Sequence, residues 1–183
     1  MEGHFEYFDE RGARVYEWLV RLRLFEWAYS ATIKELARLV PPGARVLEIG
    51  PGVGRMLQRM ERFGYRLYGA DISTAMLRRA VRRTSAGLVA GASWALPFKR
   101  RSFDAGVALF TLHHWGPHDE SVRAAASVLR EGGVFLAVEV DGDRIYAGGH
   151  SCTARCLTEA LSPYFNVAIK RRFPLIFAVG KLL

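Results

Sequence analysis

The stretch that most constrains the fold runs from Val46 to Leu57 and reads Val-Leu-Glu-Ile-Gly-Pro-Gly-Val-Gly-Arg-Met-Leu. Apolar residues lead into an acid, three glycines follow at alternate positions, and an amphipathic segment comes after them. Glycine has no Cβ atom, so it permits positive φ and lets a ligand lie against the backbone. The pattern therefore predicts a buried strand, a tight turn and a helix whose first N–H groups face a ligand.

Strand-like and helix-like segments alternate after Arg45, which predicts a doubly wound α/β fold with a parallel sheet. The last two extended segments, 165–172 and 175–183, are separated only by Phe173-Pro174 and must therefore pair antiparallel. We expect a seven-stranded, mostly parallel sheet that ends in an antiparallel hairpin. The other predicted strands are 45–49, 66–70, 87–90, 105–109 and 134–140, and the predicted helices of this part are 53–63, 74–83, 120–130 and 153–161.

Residues 1–40 precede the first strand, and their apolar residues recur at helical spacing from Ala13 onwards. Ser30 or Thr32 is a candidate N-cap for a second helix over 33–40. We interpret residues 1–40 as a helical lid on an α/β core over 45–183, the two forming one domain. The aromatic and basic residues of this segment also permit a second interpretation, an anchor on a membrane surface.

The composition favours a single domain, because 183 residues of which half are apolar can bury a sizeable core. No apolar run reaches the roughly 18 residues that a membrane span needs. The start of the sequence does not resemble a secretion signal, so we expect a cytoplasmic protein. The net charge of +8 favours anionic partners such as RNA, anionic lipid or an acidic metabolite, and the scarcity of Asn and Gln fits a thermophile. The oligomeric state stays open.

The cysteines and histidines do not predict a metal site. Cys152 and Cys156 stand four residues apart on a predicted helix, which is a poor geometry for a disulfide. His150 adds a third potential ligand but no fourth is nearby, so we predict buried thiols. His113, His114 and His118 likewise lack a set of carboxylate partners.

The residues around the glycine turn discriminate between ligands. Asp71 stands 21 positions after Gly50, at the end of the second predicted strand, where an acid can bind the two hydroxyls of a ribose. It is also placed to cap the following helix. Arg55 occupies the position where dinucleotide-binding proteins have their third glycine, and Glu48 would repel a pyrophosphate but attract an ammonium group.

Five segments in order resemble the motifs of class I S-adenosylmethionine-dependent methyltransferases. They are Glu48–Gly54, Asp71-Ile72-Ser73 with Met76-Leu77, Leu96-Pro97-Phe98 with Ser102-Phe103-Asp104, Leu112-His113-His114, and Leu129–Gly133. These motifs most resemble those of the small-molecule branch of the family, which includes quinone-biosynthesis C-methyltransferases. The resemblance implies S-adenosyl-L-methionine as cofactor, bound by Glu48, Gly50, Pro51, Gly52, Gly54, Asp71, Ile72, Met76, Ser93, Trp94, Leu109 and Phe110.

One position departs from the family pattern. An Asp that usually binds the adenine amino group, four residues before the Leu-Pro-Phe segment, is replaced by Ala92. The contact passes to Ser93 or to a backbone carbonyl, or is lost, at a cost of about 1 kcal/mol for a neutral hydrogen bond. Trp94 is a candidate for stacking on the adenine.

The resemblance also implies the reaction, a methyl transfer to a small-molecule or lipid-like acceptor. His114 and Tyr16 are the candidate catalytic residues, with histidine suited to act as a base where the acceptor must lose a proton. Further acceptor contacts are expected from Trp115 and from residues 139–150. Two alternatives remain: a methyltransferase of RNA or protein that uses the basic surface, and a non-catalytic protein that binds S-adenosylmethionine.

Overall fold

A seven-stranded sheet forms the centre of the computed structural model, which describes residues 9–21, 25–145 and 151–183. In space the strands follow the order β3-β2-β1-β4-β5-β7-β6, where neighbours are hydrogen-bonded. The pairings among β1 to β5 are parallel, whereas β7 is antiparallel to both β5 and β6. This confirms the expected fold class. The strands are β1 (Arg45–Ile49), β2 (Arg66–Asp71), β3 (Gly87–Ala90), β4 (Phe103–Leu109), β5 (Leu129–Val140), β6 (Phe165–Arg172) and β7 (Leu175–Leu182).

Six α-helices are assigned in the described part of the chain: α1 (Glu10–Arg21), α2 (Glu26–Leu39), α3 (Arg55–Met60), α4 (Thr74–Ala80), α5 (His118–Val128) and α6 (Ala154–Leu161). Ser73 is the N-cap of α4, since its Oγ accepts a hydrogen bond from Met76 N at 3.2 Å. None of the described helices combines the length and apolar character that crossing a bilayer requires.

The boundary between the two N-terminal helices differs from the prediction. The second helix begins at Glu26, so Ser30 and Thr32 lie inside it and do not cap it. Their hydroxyls donate to the carbonyl oxygens of Glu26 and Ala28, each at 2.8 Å. Serine and threonine are accommodated inside a helix by this bond to the carbonyl four residues back, and such internal sites share the local sequence of caps.

Two further differences concern the start of β5 and the start of α6. The fifth helix ends at Val128, and residues 129–130 begin β5, which pairs Phe103 with Leu129 and then Ala105 with Val134. The turn expected over 131–133 is therefore an irregularity within the strand, where Gly132 adopts φ +71°. Cys152 precedes α6, whose N-cap is Thr153, so the two cysteines do not share one helix as predicted. His150 belongs to residues 146–150, which lie outside the described residues.

Alternation along β1 explains where the core and an unusual acid lie. Leu47 and Ile49 pack on one face of the sheet, and Val46 packs on the other with Leu36 and Leu57. Since successive side chains of a strand point to opposite faces, Glu48 falls on the same side as Val46. An ionisable residue is thus placed in an apolar layer, where Glu48 is 4% exposed.

Candidate cofactor and substrate site

A cavity of about 360 Å³ opens at the carboxyl ends of β1, β2 and β4. Between β1 and β4 the winding direction of the sheet reverses, and ligands of open α/β sheets bind at such points. Most of the predicted site residues line this cavity: Tyr16, Gly50, Gly52, Asp71, Ile72, Met76, Ser93, Trp94, Leu109, Phe110 and His114.

The glycines of the turn have two different surroundings. Gly50, Gly52 and Gly54 all have positive φ, at +77°, +52° and +74°. Gly50 and Gly52 face the cavity, and the ring of Tyr16 covers Gly52, since a Cβ atom there would lie 3.4 Å from Tyr16 Cε1. Gly54 instead packs against α4, because a Cβ atom would lie 3.0 Å from Ala80 Cβ. The structure therefore places Gly54 at a helix contact rather than at the cavity.

Asp71 ends β2 and ties the two loops of the site together. Its Oδ2 accepts a hydrogen bond from Gly52 N at 2.9 Å, and its Oδ1 accepts one from Ser73 N at 2.8 Å. Burial raises the pKa of Asp71, and the two N–H groups oppose that shift. Each carboxylate oxygen has a second lone pair, so these bonds leave capacity for ribose hydroxyls at the cavity wall.

Glu48 lies beside the main cavity, in a smaller one of about 20 Å³ that Pro51, Tyr29 and Arg55 also line. Its Oε2 is buried and has no hydrogen-bond partner in the described part of the chain. Burial, and then the negative charge of Asp71, raise the pKa of Glu48 to about 8. An unpaired buried carboxyl is costly, and an ammonium group beside it would favour the ionised form. Glu48 and Asp71 together therefore fit the two ends of a methionine–adenosine conjugate.

Glu48 makes stability depend on pH in a predictable direction. Its pKa rises from 4.5 to about 8 on folding, so the folded protein holds a proton that the unfolded chain has released. We expect the free energy of unfolding to fall by about 1.4 kcal/mol per pH unit between roughly pH 5 and pH 8, and to level off above that range. Urea unfolding across this range should show the slope in the wild type, whereas Glu48→Gln should lack it. Parallel profiles for the two proteins would contradict the assignment.

The N-terminal helices supply an aromatic wall of the cavity. Tyr16 and Phe25 stack with ring centroids 6.5 Å apart, and Phe25 meets Phe110 at 6.0 Å. Burial, and then the charge of Glu48, raise the pKa of Tyr16 to about 12. The Tyr16 hydroxyl therefore keeps its proton at neutral pH, which suits it to donate a hydrogen bond rather than to accept a proton. The described part of residues 1–40 thus lies over the site, and its function as a lid remains a prediction.

Residues 92–94, where Ala92 departs from the family pattern, contact Ser121 of α5 and Gly116. Ser93 Oγ lies 2.9 Å from Ser121 Oγ of α5. Trp94 lines the cavity and packs over Gly116, where a Cβ atom would lie 2.5 Å from the indole ring. Adenine contacts by Ser93 and Trp94 remain predictions.

A buried histidine–glutamate hydrogen bond at the cavity was not foreseen. His113 Nδ1 lies 2.8 Å from Glu139 Oε2, and Glu139 Oε1 accepts a hydrogen bond from Leu112 N at 2.9 Å. Glu139 is fully buried, and His113 lines the cavity next to His114, with the two rings 3.8 Å apart. The clue in the sequence was Glu139, the one acid in the otherwise apolar predicted strand 134–140.

The fold, the glycine turn and the paired acids define a class I S-adenosylmethionine-dependent methyltransferase. A family model described as "Methyltransferase domain" matches residues 47–137, and the chain belongs to this class. The family assignment and the cofactor expected with it, S-adenosylmethionine, are thereby confirmed.

Several relatives carry names from quinone biosynthesis. A demethylmenaquinone methyltransferase of Corynebacterium kroppenstedtii is 35% identical over 103 residues, which are 56% of this chain and 44% of that protein. A ubiquinone biosynthesis O-methyltransferase of Xanthomonas axonopodis is 32% identical over 108 residues, 55% of this chain and 45% of that protein. The chain thus spans less than half the length of these relatives.

The fold is shared over nearly the whole chain with a solved structure. An S-adenosylmethionine-dependent methyltransferase from Aquifex aeolicus superimposes with a TM-score of 0.78 and covers 96% of this chain and 100% of its own. Its sequence is 14% identical, so the comparison concerns the fold alone.

Proposed function

We propose that this chain transfers a methyl group from S-adenosylmethionine to a small aromatic acceptor of the reduced-quinone type. The observation that carries the proposal is the aromatic wall of the cavity, formed by Phe25, Trp27, Phe110 and Trp115 together with Tyr16. Flat apolar walls bind flat rings, and offset or edge contacts between rings contribute about 0.5–1.5 kcal/mol beyond area burial. The relatives named for menaquinone and ubiquinone biosynthesis support the same acceptor class.

The residues of the chain would have distinct tasks in this reaction. The cofactor supplies, when bound, a methyl group activated by a sulfonium centre. Glu48 would hold its ammonium group and Asp71 its ribose, with the backbone of Gly50 and Gly52 against it. The aromatic wall would exclude water and align the acceptor, which is the main contribution that a protein makes to such a transfer.

The charge distribution argues against RNA as acceptor, although the net charge is +8. Arginines of α3, of α4 and of the turn after α4 are already paired with acids of α1 and α2. Arg55 and Arg59 contact Glu26, and Arg79 and Arg83 contact Glu17. Side chains in such pairs are less available to phosphates than unpaired ones. The small-molecule acceptor is therefore the better supported proposal.

The test measures which acceptor receives a labelled methyl group. The purified chain is titrated with S-adenosylmethionine by calorimetry, then incubated with methyl-labelled cofactor and a short-chain naphthohydroquinone, bulk transfer RNA or protein extract. We expect binding, and label in the organic extract of the hydroquinone reaction. Label in precipitated RNA or protein would contradict the proposed acceptor. Binding without transfer to any acceptor would favour a non-catalytic binding protein.

A further inference from the structure

We propose that His113, held by Glu139, is the general base of the reaction, and that it removes the proton of an aromatic hydroxyl on the acceptor, which then attacks the methyl group. The inference rests on the proposed function and narrows it. It assigns to His113 the task that sequence reasoning gave to His114, and it makes Glu139 a positioning residue.

The contact with Glu139 decides which nitrogen of the His113 imidazole carries the proton. Glu139 Oε1 accepts a hydrogen bond from Leu112 N, and Glu139 Oε2 lies 2.8 Å from His113 Nδ1. A carboxylate can only accept hydrogen bonds, so with Glu139 in its carboxylate form this contact places a proton on Nδ1. In a neutral imidazole the basic nitrogen is then Nε2. The pair thereby selects one tautomer and would stabilise the imidazolium that forms when Nε2 takes a proton.

The strand register places His113 and Glu139 together at the cavity wall. Leu112–His114 form a short turn directly after β4, and Glu139 lies near the end of the adjacent β5. Leu109 pairs with Val138 in the sheet, so the two segments enter the site side by side. His113 lines the same cavity as Gly50 and Asp71, and its side chain is only 8% exposed. A base at this place is shielded from bulk water and lies at the cavity wall. Its Nε2 exposes less than 1 Å² of surface, so an acceptor hydroxyl reaches it only after the neighbouring side chains move.

The reaction then balances without a further reagent. The acceptor hydroxyl gives its proton to His113 Nε2, and the electron pair left on the ring system forms a bond from oxygen, or from the adjacent ring carbon, to the methyl carbon. The bond between that carbon and sulfur breaks, and its electrons remain on sulfur as a thioether. In carbon methylation the ring carbon loses its own proton as the ring regains aromaticity. The proton held by His113 passes to solvent after product release.

Other titratable groups lie near the His113–Glu139 pair, and the test must distinguish their effects from those of His113. His114 follows His113 in the same turn, with ring centroids 3.8 Å apart. Charge interactions link His113 to His118 of α5 and to Cys156 of α6, and link Glu139 to Cys152. Burial lowers the pKa of His118. A purely structural role for the pair, tying the turn to β5, is the competing explanation.

The experiment compares His113→Gln, Glu139→Gln and, as matched control, His114→Gln between pH 5.5 and 9.5. We expect His113→Gln to lower kcat by about 100- to 10,000-fold and to remove the acidic limb of the pH profile. Calorimetry should show S-adenosylmethionine affinity within about threefold of the wild type, since His113 is not a predicted cofactor contact. Glu139→Gln should reduce kcat less, and His114→Gln should keep the wild-type limb.

Rescue distinguishes a base from a structural residue. A hydroquinone whose nitro substituents ionise the hydroxyl below neutral pH needs no base, so His113→Gln should methylate it at a rate close to the wild type. Equal losses on both acceptors would overturn the proposal, as would loss of the limb in His114→Gln alone.

A measurement on the wild type guards against misfolded variants. Nitrogen NMR of labelled histidine should show the His113 ring protonated on Nδ1 at neutral pH, and the opposite tautomer would overturn the proposal. If the wild type binds cofactor but methylates no hydroxyl acceptor of either acidity, the proposed function itself fails, which is a separate result.

Discussion

Replacing Asp71 by alanine is expected to lower the affinity of the chain for S-adenosylmethionine by about 10- to 150-fold, measured by calorimetry. A hydrogen bond to a charged group contributes about 1.5–3 kcal/mol, and each 1.4 kcal/mol corresponds to a factor of ten. Asp71 is 9% exposed at the cavity wall. Little water would therefore be available to bind the ribose hydroxyls in place of the missing carboxylate. The isosteric Asp71→Asn should lose less affinity, because its carbonyl oxygen still accepts.

The effect has to be separated from the role of Asp71 in the scaffold. Its carboxylate also accepts from the backbone of Gly52 and Ser73, so removal disturbs the turn itself. Ser73→Ala is the matched control: it deletes the bond from Met76 N to Ser73 Oγ and should cost about 1 kcal/mol of stability. If Ser73→Ala and Asp71→Ala bind the cofactor equally well, the carboxylate is only a cap and the ribose contact is wrong.

The sheet and the cofactor loop were predictable because their determinants are local. The apolar strand Val46–Ile49, the glycines that follow it and the acid at Asp71 lie within one stretch of 26 residues. The final hairpin was predictable for a similar reason, since a two-residue connection leaves no length for a parallel crossover. Strand order then follows from the handedness of βα units.

The helix boundaries were harder because hydroxyl residues have two uses. Ser30 and Thr32 have the chemistry of caps, yet their hydroxyls bond to carbonyls within α2. Packing decided the outcome, since Ala28, Tyr29 and Thr32 are buried against the sheet and favour an uninterrupted helix. Local preference is a weak guide where burial opposes it.

The His113–Glu139 pair was beyond sequence reasoning for a different reason. Its members are 26 residues apart and meet only through the register of β4 against β5. A pattern of apolar residues indicates that both strands are buried, but a shift of one residue would turn Glu139 to the other face. The sequence therefore identifies candidate residues at the edge of the sheet, and the register selects among them.

The close packing of the cofactor loop leads to the second large effect, in Gly50→Ala. Gly50 has φ +77°, and an added Cβ atom would lie 2.8 Å from Thr111 Cγ2. We expect a loss of about 2–5 kcal/mol in the free energy of unfolding, from left-handed backbone strain of about 1–2 kcal/mol and overpacking of about 1–3 kcal/mol. Urea unfolding measures the loss. Gly43→Ala is the matched control: its φ is +87° but nothing lies within 4 Å, so it should show the strain alone.

A second substitution tests whether Thr111 is the cause. Thr111 is held in place because its Oγ1 donates to Ile49 O at 3.0 Å, so its methyl group has little freedom to move aside. Thr111→Ser retains this hydroxyl and deletes Cγ2, and should therefore recover part of the loss when combined with Gly50→Ala. Equal stability of Gly50→Ala and Gly43→Ala would show that the contact with Thr111 yields at no cost. The loop would then tolerate a methyl group at this position in the ligand-free protein, and packing against Thr111 would no longer explain the glycine.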